Sequence, residues 1–277
     1  MNLGSNAFEG CTGLTSIAIP NSVTSLGGFG YCTGLTNVTI PNSVTNVDGF
    51  GGCTGLSSVT IPNSVTSVGY YGFDDCTGLT SLTIPDSVTN IGERAFVRCT
   101  GLTNVTIGKG VISIGQQAFE GCTGLTSIAI PNSVTTIGNL AFYGCSSLGG
   151  VYFLGDAPRP GGNSVFSNVF GGSSHPTLYH LPGTTGWDSV GLRSTAFWLL
   201  PNPIILTGEP DFGRQANGFN FRISWATNVP VVVEATTDLA QTVWAPVSTL
   251  TLTEGMAYYT DSEWSEYAAR LYRVRAK

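Results

Sequence analysis

Apolar residues in the first 150 positions recur in one fixed phrase. In residues 76–98, CTGLTSLTIPDSVTNIGERAFVR, Leu79, Leu82 and Ile84 follow an L-x-x-L-x-L rhythm. Such alternation puts Leu82 and Ile84 on one side of a short strand, with Ser81 and Thr83 on the other. Pro85 ends that strand, because it has no N–H to continue a ladder and its φ is fixed. A second short extended stretch is expected next, with Val88 and Ile91 inward and Ser87 and Thr89 outward. Gly92 then turns the chain. Glu93–Arg98 is expected to make a helical turn that carries Phe96 and Cys99 inward.

The phrase repeats seven times. Cysteines fall at 11, 32, 53, 76, 99, 122 and 145, each with Phe three residues before and Leu three residues after. A fixed period in this range marks a solenoid of stacked coils. A single coil turns too few apolar side chains inward to hold its ordered backbone, so stacking must supply the stability. The first two repeats are 21 residues long and the next four are 23. The missing pair lies between the turn (Gly27, Asp48) and the Phe, where other repeats carry Glu93-Arg94 or Gln116-Gln117. There the solenoid is expected to have a thinner outer wall and a different curvature.

Met1-Asn2-Leu3-Gly4 aligns with the end of a repeat, so the sequence begins mid-coil and reads as a fragment of a longer product or as a start within a repeat array. Leu3 and Phe8 would then lie on an open apolar face. Uncovered ends of this kind seek partners. The expectation is either fraying of about ten residues or end-to-end association, most simply as a two-fold homodimer.

The recurring IPNSVTxxG of residues 19–27, 61–69 and 130–138, the AFxGC of 7–11 and 118–122, and the variant IGKGVISIG of 107–115 resemble the BspA-like (Treponema-type) leucine-rich repeats. The resemblance covers residues 2 to about 153. It implies a bacterial surface protein, or a surface protein of some protists, with a role in binding and adhesion. The implied partner is a protein or glycan on another cell or matrix, and the implied location is secreted or cell-surface.

After Cys145 the repeat degrades. Leu148, Val151 and Phe153 keep the strand rhythm, and Val165-Phe166 and Val169-Phe170 look like the Ala-Phe step. Leu178-Tyr-His-Leu-Pro182 looks like the strand ahead of its proline, which would turn His180 outward. Trp187, Phe197 and Trp198 are expected to close the end. From about 204 the texture changes to seven-residue alternation, as in Phe219–Trp225. Further strands are expected at 229–235, 243–252, 257–260 and 270–275. The chain is therefore read as mainly β: a leucine-rich-repeat solenoid (1–153), an irregular C-terminal cap and linker (154–203), and a small antiparallel, sandwich-like β module (204–277). In VVVEATTDL and ARLYRVRA that module is similar to C-terminal β modules of large secreted bacterial proteins, which implies attachment or spacing.

Composition narrows the function. Charged residues make up 10% of the chain and the formal net charge is −6. Arg94, Arg98 and Lys109 are the only cations of the repeats, which argues against nucleic acid as a partner. No apolar run approaches the ~20 residues of a membrane helix, and a signal peptide is absent from the sequence. No cofactor motif appears, and no cofactor is expected. The cysteines allow free thiols, disulfides or a metal site. Stacked coils would hold them about 5 Å apart, farther than the ~3.8 Å between disulfide Cβ atoms, which favours free buried thiols.

Three candidate sites follow. The strand face presents Asn37, Thr39, Ser58, Thr60, Ser81, Thr83, Asn104 and Thr106 to solvent, a hydroxyl-rich surface without aromatic or arginine anchors. The second extended stretch offers a Ser-x-Thr grid (Ser22/Thr24 through Ser133/Thr135, interrupted at Gly110-Val111-Ile112) of the type seen on ice-binding surfaces. The third is a hydrolase site in the cap. His175 and His180 are the only histidines, and Ser174, Asp156 and Asp188 are near enough in sequence to complete a catalytic or metal-binding set.

Overall fold

The computed structural model describes residues 3–4, 6–161, 166–181, 184–187, 195–197, 204–206, 212–216, 218–224, 230–237, 244–253, 256–267 and 270–276. The chain divides into two compact units, Met1–Tyr179 with Thr185–Ala196, and His180–Thr184 with Phe197–Lys277.

The first unit is a solenoid. Each phrase forms a short parallel strand, from Ser16–Ala18 through Asn37–Thr39, Ser58–Thr60, Ser81–Ile84, Asn104–Ile107 and Ser127–Ile130 to Gly150–Phe153. Register follows the repeat: Thr39 stands opposite Thr60, and Thr83 opposite Thr106. A second row of two-residue strands, Ser25–Leu26 to Arg159–Pro160, makes one seven-stranded parallel sheet.

This second stretch is shorter than the alternation suggests. Each proline carbonyl accepts the N–H of the valine three residues on, as in Val65 to Pro62 at 3.0 Å and Val88 to Pro85 at 3.1 Å. Ser87 and Thr89 therefore flank a turn, and only Asn90–Ile91 is extended. Their hydroxyls are not an open grid. Ser64 and Ser87 donate to the Val44 and Val65 carbonyls at 2.7 Å, and Thr89 donates to the Thr66 carbonyl at 3.2 Å. These hydroxyls are coil-to-coil ties, which removes the regular open grid that the ice-binding reading requires.

The third side of each coil is also not helical. Arg94 and Arg98 have φ of 57° and 54°, so the segment is a run of tight turns with left-handed residues. Its N–H groups reach the next coil: Phe73 donates to Ala95 at 2.7 Å and Phe96 to Ala118 at 2.8 Å. This outward pairing replaces the internal bonds a helix would make. In the two short repeats Gly28 and Gly49 take the left-handed position, with φ of 88° and 81°. Glycine is required at Gly49, where a Cβ would come 2.7 Å from the Gly27 Cα.

The core is a column of phenylalanines. Phe8, Phe29, Phe50, Phe73, Phe96, Phe119, Phe142 and Phe170 stack in sequence, with centroids 5.2–5.6 Å apart. Phe170 thus continues the ladder, while Phe166 lies beside it at 6.3 Å, on the four-residue helix Phe166–Val169. At the other end Leu3 and Phe8 are half-buried, and the Phe8 N–H donates to the Gly28 carbonyl at 2.7 Å. In the cap Trp187 is buried against Phe153 at 4.7 Å. Trp198 lies outside the described residues, as does the side chain of Phe197.

The second unit holds two antiparallel sheets. In one, Gly218–Ser224 pairs with Ile204–Leu206, Gly213–Gln215 and Met256–Asp261. In the other, Pro230–Thr236 lies between Ala245–Thr251 and Leu271–Ala276. Phe221, Ile223, Val231, Val233 and Leu252 form the core common to both sheets. Ile204–Leu206 and Gly213–Gln215 are strands that alternation did not single out. Trp225 lies outside the described residues.

Candidate functional site

Asn37, Thr39, Ser58, Thr60, Ser81, Thr83, Asn104 and Thr106 are all exposed, two per coil. The alternating partners Val38, Leu82 and Val105 are buried, so the pleat itself fixes which side chains face out. The surface carries no formal charge at these eight positions.

Two half-buried tyrosines that sequence reasoning did not single out stand at the end of this row. Ala129 is opposite Tyr152 in the strand ladder, and Tyr179 stacks on Tyr152 at 4.8 Å with rings 10° apart. The row of Thr39, Thr60, Thr83, Thr106 and Ala129 therefore continues into two tyrosines. A signal for Tyr152 was present, because it alternates with the inward Val151 and Phe153.

The same stack corrects His180. With Tyr179 in the outward phase, His180 takes the inward one, and it is 8% exposed rather than facing solvent. Aligning Leu181-Pro182 with Ile84-Pro85 misplaces the register by one residue, and a one-residue slip exchanges the two faces of a strand. The His180 Nδ1 lies 3.1 Å from the Thr184 Oγ1 and 3.3 Å from the Leu181 carbonyl.

The other cap residues are engaged separately. Ser174 donates its hydroxyl to the Leu148 carbonyl. Asp156 accepts the Thr185 N–H at 2.6 Å. His175 is exposed at φ 57°, and Asp188 lies outside the described residues. No hydroxyl–imidazole–carboxylate chain joins the described members. Nor, among the described residues, do three His, Cys, Asp or Glu side chains converge as metal ligands.

All seven cysteines are free thiols. Six are buried, and each donates to a phenylalanine carbonyl one coil back, at 3.0–3.2 Å. Burial pushes the Cys53 and Cys145 thiols up to about 12, with Cys76, Cys99 and Cys122 displaced in the same direction for the same reason. Cys11 is exposed.

Comparison with known proteins agrees with this geometry. The family model of the BspA type leucine rich repeat region matches residues 1–50 and 28–149, in six copies. A leucine-rich repeat protein from Bacteroides ovatus is 26% identical, with a TM-score of 0.48, over 65% of this chain and 58% of that one. The chain thus spans under two thirds of that relative's length. The Treponema pallidum leucine-rich repeat protein is also 26% identical, TM-score 0.48, over 53% of this chain and 71% of that one. A leucine-rich cell surface protein from Faecalibacterium prausnitzii is 24% identical, TM-score 0.41, over 70% and 66%. No curated protein sequence matches. Among the described residues no helix is long and apolar enough to cross a membrane. On its repeats, this chain belongs to the BspA-type leucine-rich repeat family.

Proposed function

We propose that the protein is a surface-displayed binding protein whose strand face docks a partner protein on another cell or in its matrix. The observation that carries this reading is the exposed threonine row ending in the Tyr152–Tyr179 stack. Small hydroxyl side chains on a rigid parallel ladder lose little conformational entropy on contact. Tyrosine is the residue type that anchors such contacts, offering apolar area and a hydrogen-bonding tip. The C-terminal β module serves attachment or spacing.

The test is binding of immobilised fibronectin, laminin, fibrinogen and collagen by the full chain, against serum albumin as reference. Replacing Thr60, Thr83 and Thr106 together with Arg, or Tyr152 and Tyr179 with Ala, should remove the binding seen with the natural chain. Binding to none of the four, or binding that survives both changes, overturns the reading.

A further inference from the structure

The turn wall of the solenoid, separate from the strand face, carries a groove of about 570 Å³. It lies where the short repeats omit their two residues. Gly28, Gly30, Gly49 and Gly51 line it: Gly28 and Gly49 follow the point where longer repeats insert Tyr70-Tyr71 or Glu93-Arg94, and Gly30 and Gly51 stand where those repeats carry Asp74 or Val97. The deletion thus cuts a trough into an otherwise even wall, and the side chains of the next coils rise along its edge. From the coil of Glu9 to that of Glu120 the phenylalanine column advances five steps of 5.2–5.4 Å, so the groove follows about 26 Å of the array.

Its chemistry is specific. Tyr31 and Tyr70 are 62% and 58% exposed, unusually open for aromatic rings. Tyr31 lies over Gly52, where an added Cβ would come 2.5 Å from its ring, and Tyr70 packs edge-on against Tyr71, with ring centroids 4.2 Å apart. The charges lining the groove are Glu9, Asp74 and Glu120 against Arg94 and Arg98, an excess of carboxylate. Arg98 holds Asp75 at 2.6 and 2.7 Å and reaches Asp74 at 3.3 Å. Arg94 donates to the Tyr71 hydroxyl and, at 2.9 Å, to Gln117, whose amide in turn donates to Glu120. An anionic ligand would meet this excess of carboxylate and would have to compete with Asp74 and Asp75 for Arg98.

We propose that this groove binds a neutral oligosaccharide. Sugar rings have apolar C–H faces that suit exposed tyrosine rings, and rims of hydroxyls that suit planar amide, carboxylate and guanidinium groups. The groove's size is in the range of ligand sites. Tyr70, already packed against Tyr71, has less freedom to lose on binding. The Asp74 carboxylate, beside Arg98, offers acceptors to sugar hydroxyls. The two-residue deletions shape one end of the site, so restoring the missing pairs should narrow it there.

The experiment is affinity electrophoresis of the full chain through gels containing barley β-glucan, xyloglucan, galactomannan or α-mannan, with polygalacturonate and heparin as anionic polymers. Retardation by at least one neutral polymer is expected. The double change Tyr31→Ala and Tyr70→Ala should weaken it about tenfold or more. Both rings are solvent-exposed, so folding should survive. As a second variant, Gln-Gln inserted after Gly27 and again after Asp48 restores the 23-residue period and should abolish retardation at an unchanged circular dichroism spectrum. Retardation by no neutral polymer, by the anionic polymers alone, or undiminished in both variants, overturns the proposal.

Discussion

The Ser173 hydroxyl donates to the Phe142 carbonyl at 2.8 Å, the position that a cysteine thiol fills one coil back in each of six preceding coils. Ser173 follows Phe170 by three residues, as each Cys follows its Phe, and Phe170 stacks on Phe142 at 5.6 Å. The chemistry of the thiol is therefore dispensable here. What the position requires is a small side chain with one donor. The cysteine ladder is packing.

Exchange between the two groups should then cost little. Cys76→Ser keeps a donor for the Phe50 carbonyl, which also accepts the Cys53 N–H at 3.2 Å. A loss of about 0.5–1.5 kcal/mol is expected, and a similar or smaller change for Ser173→Cys. Phe96→Ala should cost about 3–5 kcal/mol, because it empties a fully buried ring site between two stacked neighbours. Guanidinium denaturation of the three variants checks the order. A serine at 76 as damaging as alanine at 96 would sink the packing account.

Thiol reactivity should separate Cys11 from the rest. Seven sulfhydryls should titrate after denaturation without reductant, since all are free. In the native chain at pH 8 only Cys11 should react quickly. The thiolate is the reactive form, and burial holds Cys53 and Cys145 at about 12. Raising the pH from 7 to 9 should leave the slow class slow. Three or more fast native thiols would show that the coils open locally.

Two glycines should answer differently to alanine. Gly49→Ala meets a left-handed φ of 81° and a backbone contact of 2.7 Å, whereas a Cβ at Gly13 meets nothing within 4 Å. The first change should destabilise by more than about 1 kcal/mol, and the second should stay within about 0.5 kcal/mol. Thermal melts decide it. Equal effects would mean that the short turn relaxes freely, which would also undercut the groove built on it.

The repeat was legible because each inward position is set by local alternation and repeated seven times, so Leu82, Phe96 and Cys99 were placed without knowledge of the stack. What was not legible depended on neighbouring coils. The Ser64 and Ser87 hydroxyls look outward in one coil, and only the adjacent carbonyl shows their bond. His180 was misplaced because its proline sits one residue later than in the repeats, so the proline was a false register mark. Tyr152 and Tyr179 become an anchor only when their strands pair. The groove needed both kinds of information. The two missing residues are written in the sequence, but the tyrosines beside them meet only across three coils.

The β module carries a charge arrangement with its own pH signature. Glu234 stands opposite Arg273 in the ladder, and its side chain is 5% exposed. Arg273 and Arg275, on the same face of their strand, each place a guanidinium nitrogen 2.7 Å from one of its oxygens. The hydrogen bonds from Arg275 and then Arg273 hold the Glu234 carboxyl below its usual range. A carboxyl whose folded value lies below its unfolded one adds stability that is fully present above the unfolded value. That stability is lost as the pH falls through the folded value. The natural chain should therefore keep a constant contribution from this site above about pH 4.5 and lose it progressively on acidification. In Glu234→Gln the two arginines keep an acceptor but no counter-charge. That variant should be less stable at pH 7 and show a flatter fall between pH 5 and 3. Urea midpoints measured across that range for both chains are the test. Curves that run parallel throughout would show that Glu234 contributes no proton-linked stability, and that its two arginines are held by strand geometry alone.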